Sequence, residues 1–193
     1  MLDLVYEMLT SPSRALRRVT EERSFLKVIF LVLLALLSQT VGSLFKQELN
    51  LPTVQISLTI GLLTKFITLL LIWFIGAAIL HFVAEAWGGE GTSLNLFITL
   101  GVSFVPQIFI APITILSSVF GNLEVLIYDI FWLIIFLWSI WLVLLALKET
   151  YLFSSGQALV TLVTSIGLGV IVLGVLAILY AVVLSLLVSA NFF

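Results

Sequence analysis

Five long stretches of the chain are almost free of charged residues, and they limit the fold more than any other feature. Their approximate ranges are residues 28–45, 56–84, 94–120, 125–147 and 158–188. A bilayer core about 30 Å thick needs roughly 20 apolar helical residues to cross it. Because lipid offers no hydrogen bonds to an exposed backbone, such segments must be helical. The sequence therefore predicts an all-α polytopic membrane protein, a bundle of five transmembrane helices.

The composition excludes several other classes of protein. Of the 193 residues, 62% are apolar and only 9% are charged, whereas soluble domains carry about 25% charged residues. The formal net charge of −2 provides no basic field for nucleic acid. The chain has no cysteine, which excludes disulfides and thiolate chemistry. Because no complete catalytic or metal-binding set of residues is present, we expect neither enzyme activity nor a cofactor nor a bound metal.

A basic segment, residues 1–27, precedes the five-helix domain of residues 28–193. Its basic residues are Arg14, Arg17, Arg18, Arg23 and Lys27. The loops 46–55 and 148–157 each hold one basic residue, Lys46 and Lys148. Basic residues near the ends of spans collect on the cytoplasmic side. This pattern predicts a multi-pass protein of the cell membrane with a cytoplasmic N-terminus and an outside C-terminus.

The same N-terminal segment has the pattern of an amphipathic interfacial helix. Arg14, Arg17 and Arg18 could meet anionic headgroups, while the lipid-facing side would comprise Met8, Leu9, Leu16 and Val19. The alternative is a solvated segment that only fixes the topology. In either case, deletion of residues 1–23 is expected to leave the bundle folded.

Four polar residues lie in or beside the predicted second, third and fourth spans: Lys65, Gln107, Asp129 and Glu124. A charge inside a span is costly unless it is paired, hydrated or extended to the interface. One hypothesis is a polar cavity, beside the helix break at Pro106, that binds a headgroup, an ion or a small solute. The other is a structural ion pair, and the sequence does not decide whether Lys65 and Asp129 meet.

His81 and Glu85 are four residues apart near the cytoplasmic end of the second span, so they share one helix face. An imidazole and a carboxylate could bind a metal or relay protons, but a third ligand is missing. A hydrogen-bonded pair at the interface is the simpler interpretation. With Arg14, Arg17 and Arg18 they form the candidate cytoplasmic interface.

A stripe of small residues marks the last span. Ala177, Ala181, Ser185 and Ser189 follow one another at four-residue steps. Small residues allow helix backbones to approach closely in membranes. The stripe therefore predicts helix packing, within the chain or in a homodimer.

Several motifs spread along the chain occur together. Pro12 opens a basic helix, Gly88-Gly89 follows the second span, and Pro106 lies near the middle of the third. Trp138 and Trp141 lead into Leu147-Lys148-Glu149-Thr150, and the last helix opens with Ser154-Ser155-Gly156-Gln157-Ala158. Over nearly its whole length the chain thus resembles the Yip1-domain family of five-span membrane proteins, in a compact prokaryotic form.

The resemblance implies a non-enzymatic role. Eukaryotic members lie in Golgi and endoplasmic reticulum membranes, contact Rab-type GTPases and take part in vesicle traffic. Those roles depend partly on an Asp-Leu-Tyr-Gly-Pro-like motif, whereas Asp3-Leu4-Val5-Tyr6 here lacks the Gly-Pro, so GTPase binding is not carried over. We expect an adaptor or organiser for a membrane or cytoplasmic protein partner in the lipid bilayer. The alternative is a small carrier or lipid-handling protein that uses the polar cavity.

Overall fold

The computed structural model describes residues 2–22, 24–45 and 51–190, with side chains described for 4–22, 24–45 and 60–182. It is helical throughout, and no strand occurs in these ranges. The helices are α1 Leu2–Thr10, α2 Pro12–Glu21, α3 Phe25–Phe45, α4 Leu51–Ala86, α5 Ser93–Val102, α6 Ile110–Ser118, α7 Glu124–Tyr151 and α8 Ser155–Ala190. Short 3₁₀ turns, Val105–Phe109 and Gly121–Leu123, precede α6 and α7.

Five segments of the described chain are long and apolar enough to cross a membrane. They are Phe25–Phe45, Ile60–Ala86, Ser93–Ser118, Gly121–Tyr151 and Ser155–Val182. The predicted five-helix membrane bundle is therefore confirmed. Helices α4 and α8 each contain 36 residues and are about 54 Å long. They exceed the apolar core of a bilayer, so they must tilt or project from it.

The third span is interrupted, because α5 and α6 are separate helices joined by a 3₁₀ turn. Pro106 lies in that turn, and Pro112 is the third residue of α6, where its missing N–H is not needed. Ser38 of α3 forms hydrogen bonds with two backbone groups beside the break. Its hydroxyl donates to the carbonyl of Ile108 at 2.7 Å and accepts from the amide of Ala111 at 2.9 Å.

The core lies where α2, α3, α5 and α7 meet. Leu16, Val28, Leu96 and Leu147 are completely buried there. From α4, the indole of Trp73 donates to the carbonyl of Phe97 at 2.9 Å, and the two rings stack with centroids 4.1 Å apart. The N-terminal helices are therefore part of the same packed unit as the spans.

Within 155–182, the part of the last helix whose side chains are described, buried residues occur only in the first half. The helix packs against α4 and α7, but every residue in 170–182 is exposed. Ala177 and Ala181 belong to this exposed half. The alternative that these two residues pack within the chain is therefore wrong. Ser185 and Ser189 lie outside the residues whose side chains are described. A homodimer through this face stays a prediction.

Candidate functional site

Most motif residues come together at one end of the bundle. We call this end the N-terminal face: it contains α2, the starts of α3, α5 and α8, and the ends of α4 and α7. The loop Gly88–Gly91 and the corner Leu152–Phe153 cover it. Residues far apart in the sequence therefore form one surface.

His81 and Tyr151 join α4 to α7 at this face. The hydroxyl of Tyr151 lies 2.5 Å from Nδ1 of His81, and the two rings stack with centroids 6.0 Å apart. The other ring nitrogen, Nε2, lies 3.4 Å from Oε1 of Glu85. The predicted His81–Glu85 proximity is confirmed, but the primary partner of the histidine is the tyrosine.

This arrangement joins α4 to α7. No group of three or more histidine, cysteine or acidic residues suited to a metal occurs in the described residues. Sequence reasoning missed Tyr151, and the only signal for it is its position directly after the motif 147–150.

The loop after α4 depends on glycine for two separate reasons. Gly88 has φ of +80°, and the amides of Gly88 and Gly89 donate to the carbonyls of Glu85 and Ala84 at 2.9 Å each. This is the Schellman pattern of a helix end, which confirms that the glycines stop the second span. A Cβ on Gly91 would lie 2.5 Å from the carbonyl oxygen of Thr150. The loop therefore packs directly against the end of α7.

The last helix begins with a reciprocal cap. The hydroxyl of Ser154 accepts from the amide of Gln157 at 3.3 Å, and the amide of Ser154 donates to Oε1 of Gln157 at 3.0 Å. These two bonds form a capping box. Lys148 Nζ donates to the hydroxyl of Ser155 at 2.9 Å, so the cap is tied to α7. The motif 154–158 thus fixes where α8 leaves the N-terminal face.

Helix α2 is held on this face by apolar burial. Leu16 and Val19 are at most 1% exposed and pack in the core with Met8 of α1. The prediction that Met8, Leu16 and Val19 face lipid is therefore wrong, because α2 turns its apolar side toward α5 and α7. Leu9 is 48% exposed, and it alone of the four predicted residues points away from the core.

An ion pair adds to this attachment. Nε of Arg17 lies 2.5 Å from Oε2 of Glu149, whose side chain is only 14% exposed. Nη1 of Arg18 contacts Glu7 of α1 at 2.7 Å, and its Nε contacts Glu22 at 2.9 Å. Arg14 is exposed and donates to Ser11. Two of the three predicted interface arginines, Arg17 and Arg18, are thus engaged in ion pairs within the protein.

Glu22 links α2 to α3. Hydrogen bonds from Lys27, Arg18 and Ser24 lower the pKa of the Glu22 carboxyl to about 2, so that it is ionised at neutral pH. The contact to Lys27 Nζ is 2.5 Å long. The corner between α2 and the first span is therefore charged and hydrogen-bonded.

The predicted polar cavity does not form from its four residues. Lys65 Nζ donates to the hydroxyl of Ser43 at 2.7 Å, and Oε1 of Gln107 accepts from Nε2 of Gln39 at 2.5 Å. Both partners lie on α3, which packs against α4 and against the 3₁₀ turn that contains Gln107.

Asp129 lies on the exposed surface of α7, and Glu124, half-buried, is the first residue of that helix. Among the described residues no ion pair joins Lys65 to Asp129. Gln39, a polar residue in the middle of the first span, is the sequence signal that points to the partner of Gln107.

An open groove of about 630 Å³ borders the N-terminal face between α4 and α5. Its walls are mainly apolar and include Phe74, Ala78 and Phe97, while His81 and Glu85 lie at its outer end. His81 and Glu85 therefore take part in two features, the junction with α7 and the groove. No regular spacing of residues in the sequence pointed to this groove.

Comparison with known proteins agrees with the architecture. The family model described as Yip1 domain matches residues 6–179, which is most of the chain. Neither a curated protein nor a solved structure matches it. The match includes α2, the first four spans, most of the fifth, and the motifs 147–150 and 154–158 of the N-terminal face. The chain is therefore a multi-pass integral membrane protein that belongs to the Yip1-domain family.

Proposed function

We propose that this protein is a non-enzymatic adaptor of the cell membrane that presents a fixed docking platform to a cytoplasmic protein partner. The platform comprises the exposed side chains Tyr6 and Leu9 of α1 and Arg14 of α2. The observation that carries the proposal is the position of α1 and α2: one side is buried in the membrane bundle, and the other side is free.

The apolar exposure on α1 supports a docking role. Tyr6 is 67% exposed and Leu9 48% exposed, and a three-residue spacing puts them on the same helix side. Leu4 and Met8, on the other side, are buried. Exposed aromatic and apolar residues on a rigid element are typical of binding surfaces.

The charge distribution supports a cytoplasmic location for this platform. Arg14, Arg17, Arg18 and Lys27 lie on α2 and at the start of α3. Lys148 joins them at the same face, because its neighbour Glu149 contacts Arg17. Lys65 lies toward the other end, where it contacts Ser43 near the end of α3. The positive-inside rule then favours the N-terminal face as the cytoplasmic one.

The contacts made by the titratable side chains support a role without catalysis. Arg17 pairs with Glu149, Arg18 with Glu7, and Lys27 with Glu22. His81 is engaged by Tyr151. The charged pairs join helices, whereas a catalytic acid or base would need to face a substrate; of these residues only His81 also lines the groove.

A photo-crosslinking experiment in native membranes tests the proposal. A photoreactive amino acid is placed at Leu9, and a matched one at Leu126, which is 58% exposed at the far end of α7. The proposal predicts a protein adduct at position 9 and none at position 126. The double variant Tyr6→Ala/Leu9→Ala should keep its melting temperature yet lose the co-purifying partner.

Two results would contradict the adaptor role. One is crosslinking at position 9 to lipid alone, which would make α1 a membrane-surface anchor. The other is a partner retained in full by the double variant, which would locate the interface elsewhere.

A lipid-handling role is the second candidate function, and the groove between α4 and α5 favours it. The residues predicted for a polar cavity do not, because Lys65 and Gln107 are both bonded to α3. A carrier needs a site that a lipid or solute can enter from the membrane, and the groove between α4 and α5 is open and not enclosed.

A further inference from the structure

The groove between α4 and α5 is about as long, measured along α4, as the apolar part of one membrane leaflet is thick. Phe74 and Glu85 both line it and are eleven residues apart on α4, which corresponds to about 17 Å of helix. Half of a bilayer core is about 15 Å. The volume of about 630 Å³ lies within the range of ligand sites, roughly 300–1,000 Å³. The groove thus fits the acyl chain of a lipid in the leaflet at the N-terminal face.

The inner walls of the groove are apolar and the outer end is polar. Phe74, Ala77 and Ala78 of α4 line it together with Phe97 of α5, and the rings of Phe74 and Phe97 meet edge to face with centroids 6.3 Å apart. His81, Glu85 and Ser93 line the end that opens at the N-terminal face. This division is the one expected for a molecule with an apolar tail and a polar head.

The charge at the outer end selects the kind of head. The Glu85 side chain is 59% exposed, and the described lining residues include no lysine or arginine. Lys27 and Arg17, outside this lining, are paired with Glu22 and Glu149, and the imidazole of His81, 3.4 Å from Glu85, is engaged by Tyr151. The mouth of the groove therefore attracts a cation and repels a headgroup that is only anionic. The hydroxyl of Ser93 remains as a donor for a phosphate.

We propose that this groove is a binding site for a phospholipid with a primary-amine headgroup, such as phosphatidylethanolamine. The ammonium group contacts Glu85, the phosphate lies beside Ser93, and one acyl chain runs along Ala78, Phe74 and Phe97. The groove shares no residue with the docking platform, so this inference does not depend on the adaptor role.

Native mass spectrometry of the purified full chain tests the proposal. The detergent-solubilised protein is titrated with phosphatidylethanolamine and, separately, with phosphatidylglycerol of the same acyl chains. Wild type should bind the amine lipid about fivefold more tightly, as expected for one ion pair at a partly exposed site. Glu85→Gln should remove this preference and keep a weaker binding common to both lipids.

Steric variants separate the groove from the rest of the lipid-facing surface. Ala78→Trp fills the groove and should reduce binding of both lipids about fivefold; Ala78→Leu, a smaller change, should reduce it less. Ile72→Trp is the matched control on the same helix, because Ile72 is 61% exposed and outside the lining. It should bind lipid like the wild type.

Three outcomes would overturn the proposal. Equal affinity for the two lipids in the wild type would exclude selection of the amine. A preference unchanged in Glu85→Gln would place the headgroup elsewhere. Binding of both lipids to the two Ala78 variants as tight as to the wild type would show that the groove is covered by something else, such as a protein helix or a second copy of the chain.

Discussion

Replacement of Gly101 by alanine is expected to lower the free energy of unfolding by about 1–3 kcal/mol, the cost of overpacking a tight core. Gly101 lies near the end of α5, where three helices approach one another. A Cβ there would overlap Cγ1 of Val28 on α3 and would lie 2.5 Å from Cζ2 of Trp73 on α4. Because the Trp73 ring is fixed by its hydrogen bond and its stacking on Phe97, α5 must move outward.

A second glycine provides the matched control for this experiment. A Cβ added to Gly76 of α4 would have no neighbouring atom within 4 Å, so Gly76→Ala changes helix propensity without a clash. The thermal melting temperature of both variants in the same detergent measures the difference. A Gly101→Ala protein as stable as Gly76→Ala would contradict the close packing of α3, α4 and α5.

Replacement of Leu16 by alanine is expected to cost about 2–5 kcal/mol, as for other fully buried leucines. Its side chain is completely buried between α2 and the spans, so truncation leaves a cavity at the centre of the N-terminal face. The same argument makes deletion of residues 1–23 destabilising, because it would expose core residues such as Leu96 and Leu147. The expectation that the bundle tolerates this deletion is therefore not supported.

Leu9→Ala is the control for Leu16→Ala. Leu9 lies on the neighbouring helix and is 48% exposed, so its truncation should change the melting temperature little while weakening partner binding. If α2 instead lay on the surface of the lipid bilayer, Leu16→Ala and Leu9→Ala would both change the melting temperature only slightly. Such a result would contradict the packed position of the N-terminal helices.

The membrane architecture could be predicted from the sequence because it depends on composition averaged over long segments. Spans of about 20 apolar residues are required by the bilayer whatever their neighbours are. The end of α4 at Gly88 was also predictable, since a positive φ favours glycine strongly. Each of these features is decided locally, by one segment and its solvent.

The candidate site was harder to predict because it depends on how each helix is rotated about its axis. Periodicity showed that His81 and Glu85 share a face, but it could not show that Tyr151 lies opposite. Likewise, Lys65 and Gln107 both face α3, a partner that no spacing along the chain reveals. Leu16 and Val19 form an apolar side that is suited equally to lipid and to protein, and only tertiary packing distinguishes the two.

A crosslinking measurement in intact membranes tests most directly the claim that α2 is fixed against α7. The chain has no cysteine, so the pair Arg17→Cys/Glu149→Cys can be joined by a short bis-maleimide and read by intact mass. The control is Arg17→Cys/Leu126→Cys, since positions 126 and 149 are about 35 Å apart along α7. The account predicts one bridging reagent for the first pair and two singly attached reagents for the control. Two singly attached reagents on the first pair would contradict it.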